Sequence, residues 1–378
     1  MQQARNTEHH DVIVIGAGQV GLAAGYHLAR ADIDHVILEA ADRVGDIWRT
    51  RYDSLRLYSP AKYDSLPGWP FPARGRSFPT GHQMGDYLEA YAECFDLPVR
   101  TRARAEALTA HEGGTYAVST RPVSYHAPHV ILATGAFQRP HVPAFAAALD
   151  PAIVQLHSAD YRNPGQLPNG ASLVVGASHS GADIAWELAL TRPTYLSGRS
   201  HGQLPFSVDG RIGVMAWPIM KAVVSSMLTL ATPIGRKIAP KVRNGGGPLL
   251  RYRRQDLIEA GVHWSEARVV GATDGKPTLA DGTVLDVASV VWCTGFRPDY
   301  SWIDLPILDA AGWPVQERGV IGASPGLYVL GIPFLRGFAS MLVLGADGDA
   351  RHVVDHVRAS LERPSRDGHP GHLAAQHR

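Results

Sequence analysis

The segment Val12-Ile-Val-Ile-Gly16-Ala-Gly18-Gln19-Val-Gly21 constrains this chain more than any other. The β-branched apolar run before Gly16 reads as a strand buried on both faces of a parallel sheet. Leu22-Ala-Ala-Gly-Tyr-His-Leu-Ala continues at helical spacing. Between the two, Gly16 suits a tight turn and Gly18 lets backbone N–H groups approach a pyrophosphate. Gly21 lets the helix pack on the strand. Gln19 stands at the helix start, whose partial positive charge faces the phosphates. A second strand, His35-Val-Ile-Leu, ends in Glu39, where a carboxylate accepts hydrogen bonds from a ribose. A lone G-x-G-x-x-G says little. Strand, glycines, helix, second strand and terminal acid within about 30 residues specify a dinucleotide-binding βαβ unit.

Length and charge narrow the remainder. A chain of 378 residues suggests two or three domains, and 45% hydrophobic residues supply a large core. A net charge of +1 gives no electrostatic case for nucleic acid. Cys94 and Cys293 are the only cysteines, which excludes a disulfide framework and a zinc cluster and fits a reducing compartment. No metal site is expected. No secretory signal is visible at the N-terminus, and the expected location is cytoplasmic.

Residues 1–10 read as a frayed tail and 11–40 as the βαβ unit. Residues 50–80, rich in Pro, Tyr and Arg, suggest an ordered excursion that covers a ligand. Helical spacing follows over 83–95, then strands over 99–110 and 115–120. His129-Val-Ile-Leu-Ala-Thr134-Gly135 is a short buried strand ending in a small polar turn, with a Pro-rich hinge after it at 139–143. A second strand–glycine–helix unit is Ser172-Leu-Val-Val-Gly176-Ala-Ser178-His-Ser180-Gly181, with Ser178 in place of the middle glycine. Its second strand ends in Gly198-Arg199, without an acid. Arginine there suits the 2′-phosphate of NADP; the plainer alternative is a solvated surface charge.

The stretch 212–235 is nearly uncharged. Length alone permits a membrane span, but Pro218, Lys221 and Ser225-Ser226 weigh against one. Helices lining a substrate pocket are the favoured reading, a helix touching a membrane surface or a partner the other. The basic residues over 236–254 read as a solvated rim. Short strands are expected over 262–287, with a hairpin turn at Asp281-Gly282. Ser289-Val-Val-Trp-Cys-Thr294-Gly295-Phe-Arg297-Pro298 is again a strand ending in Thr-Gly. A last strand at 327–331, a C-terminal helix over 346–361 and a disordered tail at 363–378 complete the reading.

Two dinucleotide units, each followed by a strand ending in Thr-Gly, imply two nucleotides that meet and exchange electrons. Nicotinamide gives hydride and flavin is the natural acceptor. The first unit, with Glu39, suits FAD, and the second, with Arg199, suits NADPH. The expected fold is α/β, with two Rossmann-like domains and the NADPH domain inserted into the FAD domain. Residues 1–145 and 288–362 form the FAD domain, and 146–287 the NADPH domain with an apolar helical insertion at 205–250. Disulfide reductases built on two such units need paired cysteines, which this chain lacks. Molecular oxygen is the remaining electron sink.

These residues resemble the class B flavoprotein monooxygenases, the flavin-containing monooxygenase superfamily, and within it the short bacterial and plant YUCCA-type members. The marks are Gly16-x-Gly18-x-x-Gly21, Gly45-Asp46-Ile47-Trp48, Ala133-Thr134-Gly135, Gly176-x-Ser178-x-Ser180-Gly181 and Cys293-Thr-Gly-Phe-Arg-Pro298. The resemblance implies that NADPH reduces FAD and that reduced flavin takes oxygen at C4a. The peroxyflavin then transfers one oxygen atom to a small, partly hydrophobic substrate. N- or S-oxygenation is favoured over Baeyer–Villiger chemistry, because the long insertion carrying the active-site Arg of large Baeyer–Villiger enzymes is absent. It further implies that Ile47 and Trp48 lie beside the flavin and that Thr294, Gly295 and Arg297 serve the nucleotide site. Tyr58, as a hydroxyl near the flavin, and Arg56 and His157, as orienting groups, are the catalytic candidates. His157 could equally hold the linker by hydrogen bonds, since the family fingerprint around it is only partly kept: Pro151 and Ile153 stand at its Phe and Gly positions. Two other classes compete: a flavin reductase or oxidase that passes electrons to a partner protein, and a non-catalytic redox sensor. Oligomeric state stays open, a dimer included. Arg199→Ala is expected to raise the Michaelis constant for NADPH far more than that for NADH in steady-state assays. Equal effects would refute the 2′-phosphate assignment.

Overall fold

The computed structural model describes residues 6–362. Two five-stranded parallel sheets organise them. The first runs, in spatial order, Leu327–Val329, His129–Leu132, Val12–Ile15, His35–Leu38 and Val99–Arg100. The second runs Val154–His157, Ser289–Trp292, Ser172–Val175, Thr194–Ser197 and Val262–Ser265. In each sheet the strand that leads into the glycine turn lies between its βαβ partner and the strand ending in Thr-Gly. All the residues of Val12–Ile15, His35–Leu38, His129–Leu132, Ser172–Val175 and Ser289–Trp292 are buried, as strands covered by helices on both faces must be. Helix Gln19–Arg30 packs against the C-terminal helix Val343–Leu361, and helix His179–Ala189 covers the second sheet.

The boundary expected at 288 is corrected by the strand pairing. Ser289–Trp292 belongs to the second sheet, and the chain crosses back only afterwards. The crossing is a two-stranded antiparallel ribbon of Arg139–Pro140 and Phe296–Arg297. The frayed start is corrected too. Asn6–His9 is a strand paired in parallel with Val123–Ala127, which extends the antiparallel meander of Ala107–His111, Thr115–Ser119 and Val123–Ala127. The expected disorder at 363–378 lies outside the described residues. Over 262–287, the strands Val269–Thr273 and Lys276–Leu279 turn at Asp274-Gly275, both with positive φ. Asp281-Gly282 makes a separate tight turn closed by a single bridge, Thr278 to Val284.

Tyrosine hydroxyls pin the Pro-rich excursion over 50–80. Tyr87 donates to the Trp69 carbonyl (2.8 Å) and Tyr91 to that of Pro67 (2.6 Å), both from helix Gly81–Cys94. That helix opens with a capping box, in which Thr80 and Gln83 satisfy each other's backbone N–H. The apolar insertion forms helices Arg211–Ala222 and Pro233–Asn244. No helix among the described residues is long and apolar enough to cross a membrane. Within Arg211–Ala222 only Gly213 and Trp217 are buried, while Ile212, Met215 and Ile219 are exposed on its outer face. Those three side chains therefore line no internal pocket.

Gly21 and Gly181 hold the same contact in the two units. A Cβ on Gly21 would stand 1.9 Å from the Gly16 carbonyl oxygen, and one on Gly181 1.7 Å from that of Gly176. Backbone cannot yield there as a side chain would, so Gly181→Ala is expected to destabilise by about 3 kcal/mol, the upper range for overpacking. Thermal unfolding monitored by circular dichroism checks it; an unchanged midpoint would show that the turn can relax.

Candidate functional site

The first glycine turn is closed from two sides. The Gly16 N–H donates to the Leu38 carbonyl (2.7 Å), and the Ala133 N–H donates to that of Ile15 (2.9 Å). Gly16 has φ +110°, and a Cβ there would meet the Ala133 carbonyl oxygen at 2.5 Å. Around Gly18, by contrast, a Cβ would meet nothing within 4 Å. The turn is therefore tight where it touches protein and open where a pyrophosphate would approach. Helix Gln19–Arg30 begins immediately beyond, its N-terminus at the opening. Glu39 sits at the mouth. Its carboxylate accepts from the N–H groups of Ala17 and Ala41, both at 2.9 Å, which fixes it beside the turn with lone pairs left for a ribose.

The second turn repeats this geometry. The Gly176 N–H donates to the Ser197 carbonyl (2.8 Å), and the Cys293 N–H to that of Val175 (2.8 Å). A Cβ on Gly176 would stand 2.3 Å from the Cys293 carbonyl oxygen. Ser178, where the first turn has Gly18, is not open: its hydroxyl donates to the Gly247 carbonyl (3.0 Å). The strip Gly245-Gly246-Gly247 crosses here because Ser178, His179 and His201 leave no room for side chains on Gly246 and Gly247. Ser180 lies in the first turn of helix His179–Ala189. Arg199 follows Gly198 at the end of the neighbouring strand, exposed and free of any ion pair among the described residues.

The other expected site residues lie on the excursion after the first unit and on the segments around the two Thr-Gly strand ends. Trp48 packs against the cores of both sheets, while Ile47 beside it is half exposed on helix Asp46–Arg49. Thr134 accepts from Gln138 Nε2 (2.8 Å), which also donates to the Gly135 carbonyl (2.9 Å). The Gln138 carbonyl oxygen in turn accepts from the Asp299 N–H, so one amide ties the first Thr-Gly to the segment after the second. The Thr294 hydroxyl donates to the His141 carbonyl, and the His141 N–H to that of Gly295 (3.0 Å). Gly135 and Gly295 both present open space where a Cβ would point. Arg297 lies exposed on the crossing ribbon, paired through its backbone with Arg139.

His157 is buried at the end of its strand. Its Nε2 bonds the Gly295 carbonyl (3.0 Å), while Nδ1 accepts from the Ala159 N–H (3.1 Å). Those partners require a neutral ring with the proton on Nε2. Burial lowers its pKa, which favours the same state. Tyr58 is likewise engaged. Its hydroxyl donates to Asp183 Oδ2 (2.8 Å), as does that of Tyr52 (3.2 Å). Arg251 donates to the same Oδ2 (2.9 Å), to Asp209 Oδ2 (2.9 Å), and to the carbonyls of Arg56 and Leu57. The Arg251 guanidinium also lies 4.9 Å from the Tyr58 ring centroid. Of Arg56 itself, the backbone is held and the side chain is exposed. Asp183 and Arg251 are the residues that sequence reasoning missed. The one available signal was an acid inside the apolar helical run Ala182-Asp183-Ile184-Ala185.

Sequence comparison extends the picture beyond this geometry. Residues 13–195 match the profile of the family described as "Pyridine nucleotide-disulphide oxidoreductase". Over 349 residues the chain is 36% identical to "Uncharacterized oxidoreductase CzcO-like" of Geobacillus kaustophilus, covering 92% of this chain and 98% of the other. It is 29% identical to "Probable indole-3-pyruvate monooxygenase YUCCA7" of Arabidopsis thaliana, over 94% of this chain and 89% of that one. A solved flavin-containing monooxygenase from Stenotrophomonas maltophilia superposes with a TM-score of 0.76 at 29% identity, over 94% and 99% of the two chains. The fold is shared with OTEMO, solved in complex with FAD and NADP, at a TM-score of 0.67 and 16% identity, over 93% and 86%.

Two predictions follow from the turns. Gly18→Ala is expected to leave the apoprotein's thermal midpoint unchanged and to weaken FAD retention at least tenfold in equilibrium dialysis. Loss of stability in the apoprotein would mean that the open space is not a ligand site. The second concerns His179, whose pKa burial lowers to about 4 from 6.5. The folded ring stays neutral while the unfolded one protonates more readily. Its contribution is therefore complete above pH 6.5 and is lost as pH falls toward 4, by at most about 3 kcal/mol. His179→Asn should flatten the stability–pH curve over that interval in chemical denaturation; parallel curves would contradict it.

Proposed function

The chain belongs to the class B flavoprotein monooxygenases, NADPH-dependent enzymes that carry FAD, and from that premise we propose that it transfers one atom of dioxygen to a small, partly hydrophobic organic molecule. N- or S-oxygenation is the favoured outcome. When bound, FAD takes hydride from NADPH and activates oxygen for the transfer. The observation that carries the reading is the duplicated turn. Both have the same closed side against a strand-end carbonyl, and the turn with the terminal acid opens at its middle glycine.

In this reading Gly16, Gly18, Gln19, Gly21 and Glu39 hold the FAD adenosine and pyrophosphate. Ile47, Trp48, Thr134 and Gly135 border its reactive end. Gly176, Ser178, Ser180, Gly181 and Arg199 hold NADPH, and Thr294, Gly295 and Arg297 approach it from the crossing ribbon. The FAD domain comprises 1–145 and the chain from Phe296 to 362, with the NADPH domain between them. Tyr58 and His157 are positioning residues. The Tyr58 hydroxyl helps to bind the 52–58 segment to helix His179–Ala189, and His157 fixes the carbonyl of Gly295. Both tie segments of the first unit and the crossing ribbon to the second unit, an arrangement that would help exclude water from the reacting centre and limit unproductive release of peroxide.

Dithiol chemistry lacks support. Cys94 is exposed at the end of its helix, and burial pushes the Cys293 thiol well above its ordinary range, so neither forms a reactive pair. The proposed compartment is the cytoplasm. The decisive experiment supplies FAD-loaded enzyme with NADPH and ¹⁸O₂ across tertiary amines, thioethers and 2-oxo acids. One ¹⁸O in an organic product, with less than one peroxide per NADPH, is the expected result. Stoichiometric peroxide with every compound would favour a reductase or oxidase instead.

A further inference from the structure

Arg51 stands where the segments that follow the two Thr-Gly strand ends come together. Its backbone is pinned, the carbonyl accepting from Arg162 Nη1 (3.0 Å). Its guanidinium carbon lies 5.4 Å from the ring centroid of Phe137 and 5.4 Å from that of Phe296. These rings meet edge-on, 5.2 Å apart, and each closely follows one of the two Thr-Gly turns. On its other side Phe296 meets His157, 5.0 Å away. The cation therefore sits where both crossing segments meet the helix that carries Trp48.

What it lacks is an anion. Among the described residues, no carboxylate pairs with the Arg51 side chain and no acceptor receives its N–H groups. Arg49, two residues earlier, shows the contrast: it donates to Asp46, Asp86, Glu89 and the Val44 carbonyl. Removal from water lowers the Arg51 pKa, the direction expected of a cation without a counter-charge. Two phenyl faces attract a guanidinium but satisfy none of its donors. Phe137 is 59% exposed, so the same corner offers an apolar wall open to an incoming molecule.

We infer that Arg51 is an anion-binding residue at the corner formed by Phe137 and Phe296, receiving an oxyanion that a ligand brings in. Two sources share that chemistry: the carboxylate of an organic acid substrate, whose apolar body would lie on Phe137, and a phosphate of the nicotinamide nucleotide. The identity of these ligands rests on the monooxygenase reading above; the unpaired cation beside two rings does not. A planar guanidinium suits either oxyanion through paired N–H donors, and lysine replaces it poorly.

Isothermal titration of FAD-loaded protein with phenylacetate, with its neutral analogue phenylacetamide and with NADP⁺ tests this. Wild type should bind phenylacetate at least about tenfold tighter than phenylacetamide, as a charge-assisted contact provides. Arg51→Gln should bring the ratio to about one, and Arg51→Lys should recover part of it. A tenfold loss confined to NADP⁺ would assign the oxyanion to the nucleotide and support the site equally. Unchanged binding of both phenylacetate and NADP⁺ in Arg51→Gln would overturn the proposal. Should that variant lose FAD or its thermal midpoint, Arg51→Lys carries the comparison, and wild-type values there would overturn it. Calorimetry is independent of turnover, so a wild type that makes only peroxide would sink the oxygenase reading and leave this result standing.

Discussion

Two carbonyl groups, those of Ala133 and Cys293, shape everything around them. Each ends a central strand and presses against the first glycine of a neighbouring turn, closer than any side chain permits. The contact fixes where the turn leaves the sheet. It thereby fixes the axis of the following helix and the direction of its positive end. Because the carbonyl comes from the strand on the far side of the turn's own strand from its βαβ partner, the turn forms only when three strands have paired in the right order. The ligand edge is thus a product of the whole sheet. It lies beyond the carboxyl ends of the strands, where open α/β sheets place their ligands.

The two sheets are held to one another by polar groups as well as by Trp48. Asp183 belongs to the second unit's helix, yet its carboxylate collects two tyrosine hydroxyls from the first unit's excursion and a guanidinium from beyond the insertion. Asp183 and Arg251 are both buried. Burial pushes the Asp183 carboxyl up, and the adjacent Arg251 opposes that push. A buried pair of this kind adds little net stability over a well-packed apolar substitute, but removing one partner strands the other. Its value here is orientation, since it allows one relative setting of the 52–58 segment and helix His179–Ala189.

Features that depend on near neighbours in sequence were legible before any coordinates. The glycine spacing, Glu39, the Thr-Gly strand ends and the second unit all follow from local sterics and hydrophobic pattern. Features decided by distant pairing were not. Ser289–Trp292 is apolar whichever sheet it joins, so its composition could not reveal that it lies beside Ser172–Val175. Asn6–His9 is polar and looked like a tail; only the meander's free edge at Val123–Ala127 makes it a strand. The apolar stretch after 212 suggested a pocket lining, yet one face of its first helix looks outward, and Gly213 and Trp217 mark the side that packs. The hydroxyl partner of Tyr58, Asp183, is a residue far along the chain, which no local pattern announces.

The difference between Gly18 and Ser178 has one more consequence. The Ser178 hydroxyl closes a bond with the Gly247 carbonyl, yet it leaves the backbone N–H groups at its helix start as uncapped as those beyond Gly18. What it changes is the cover: the first turn is bare at its middle glycine, whereas the second carries a strip of three glycines fastened across it.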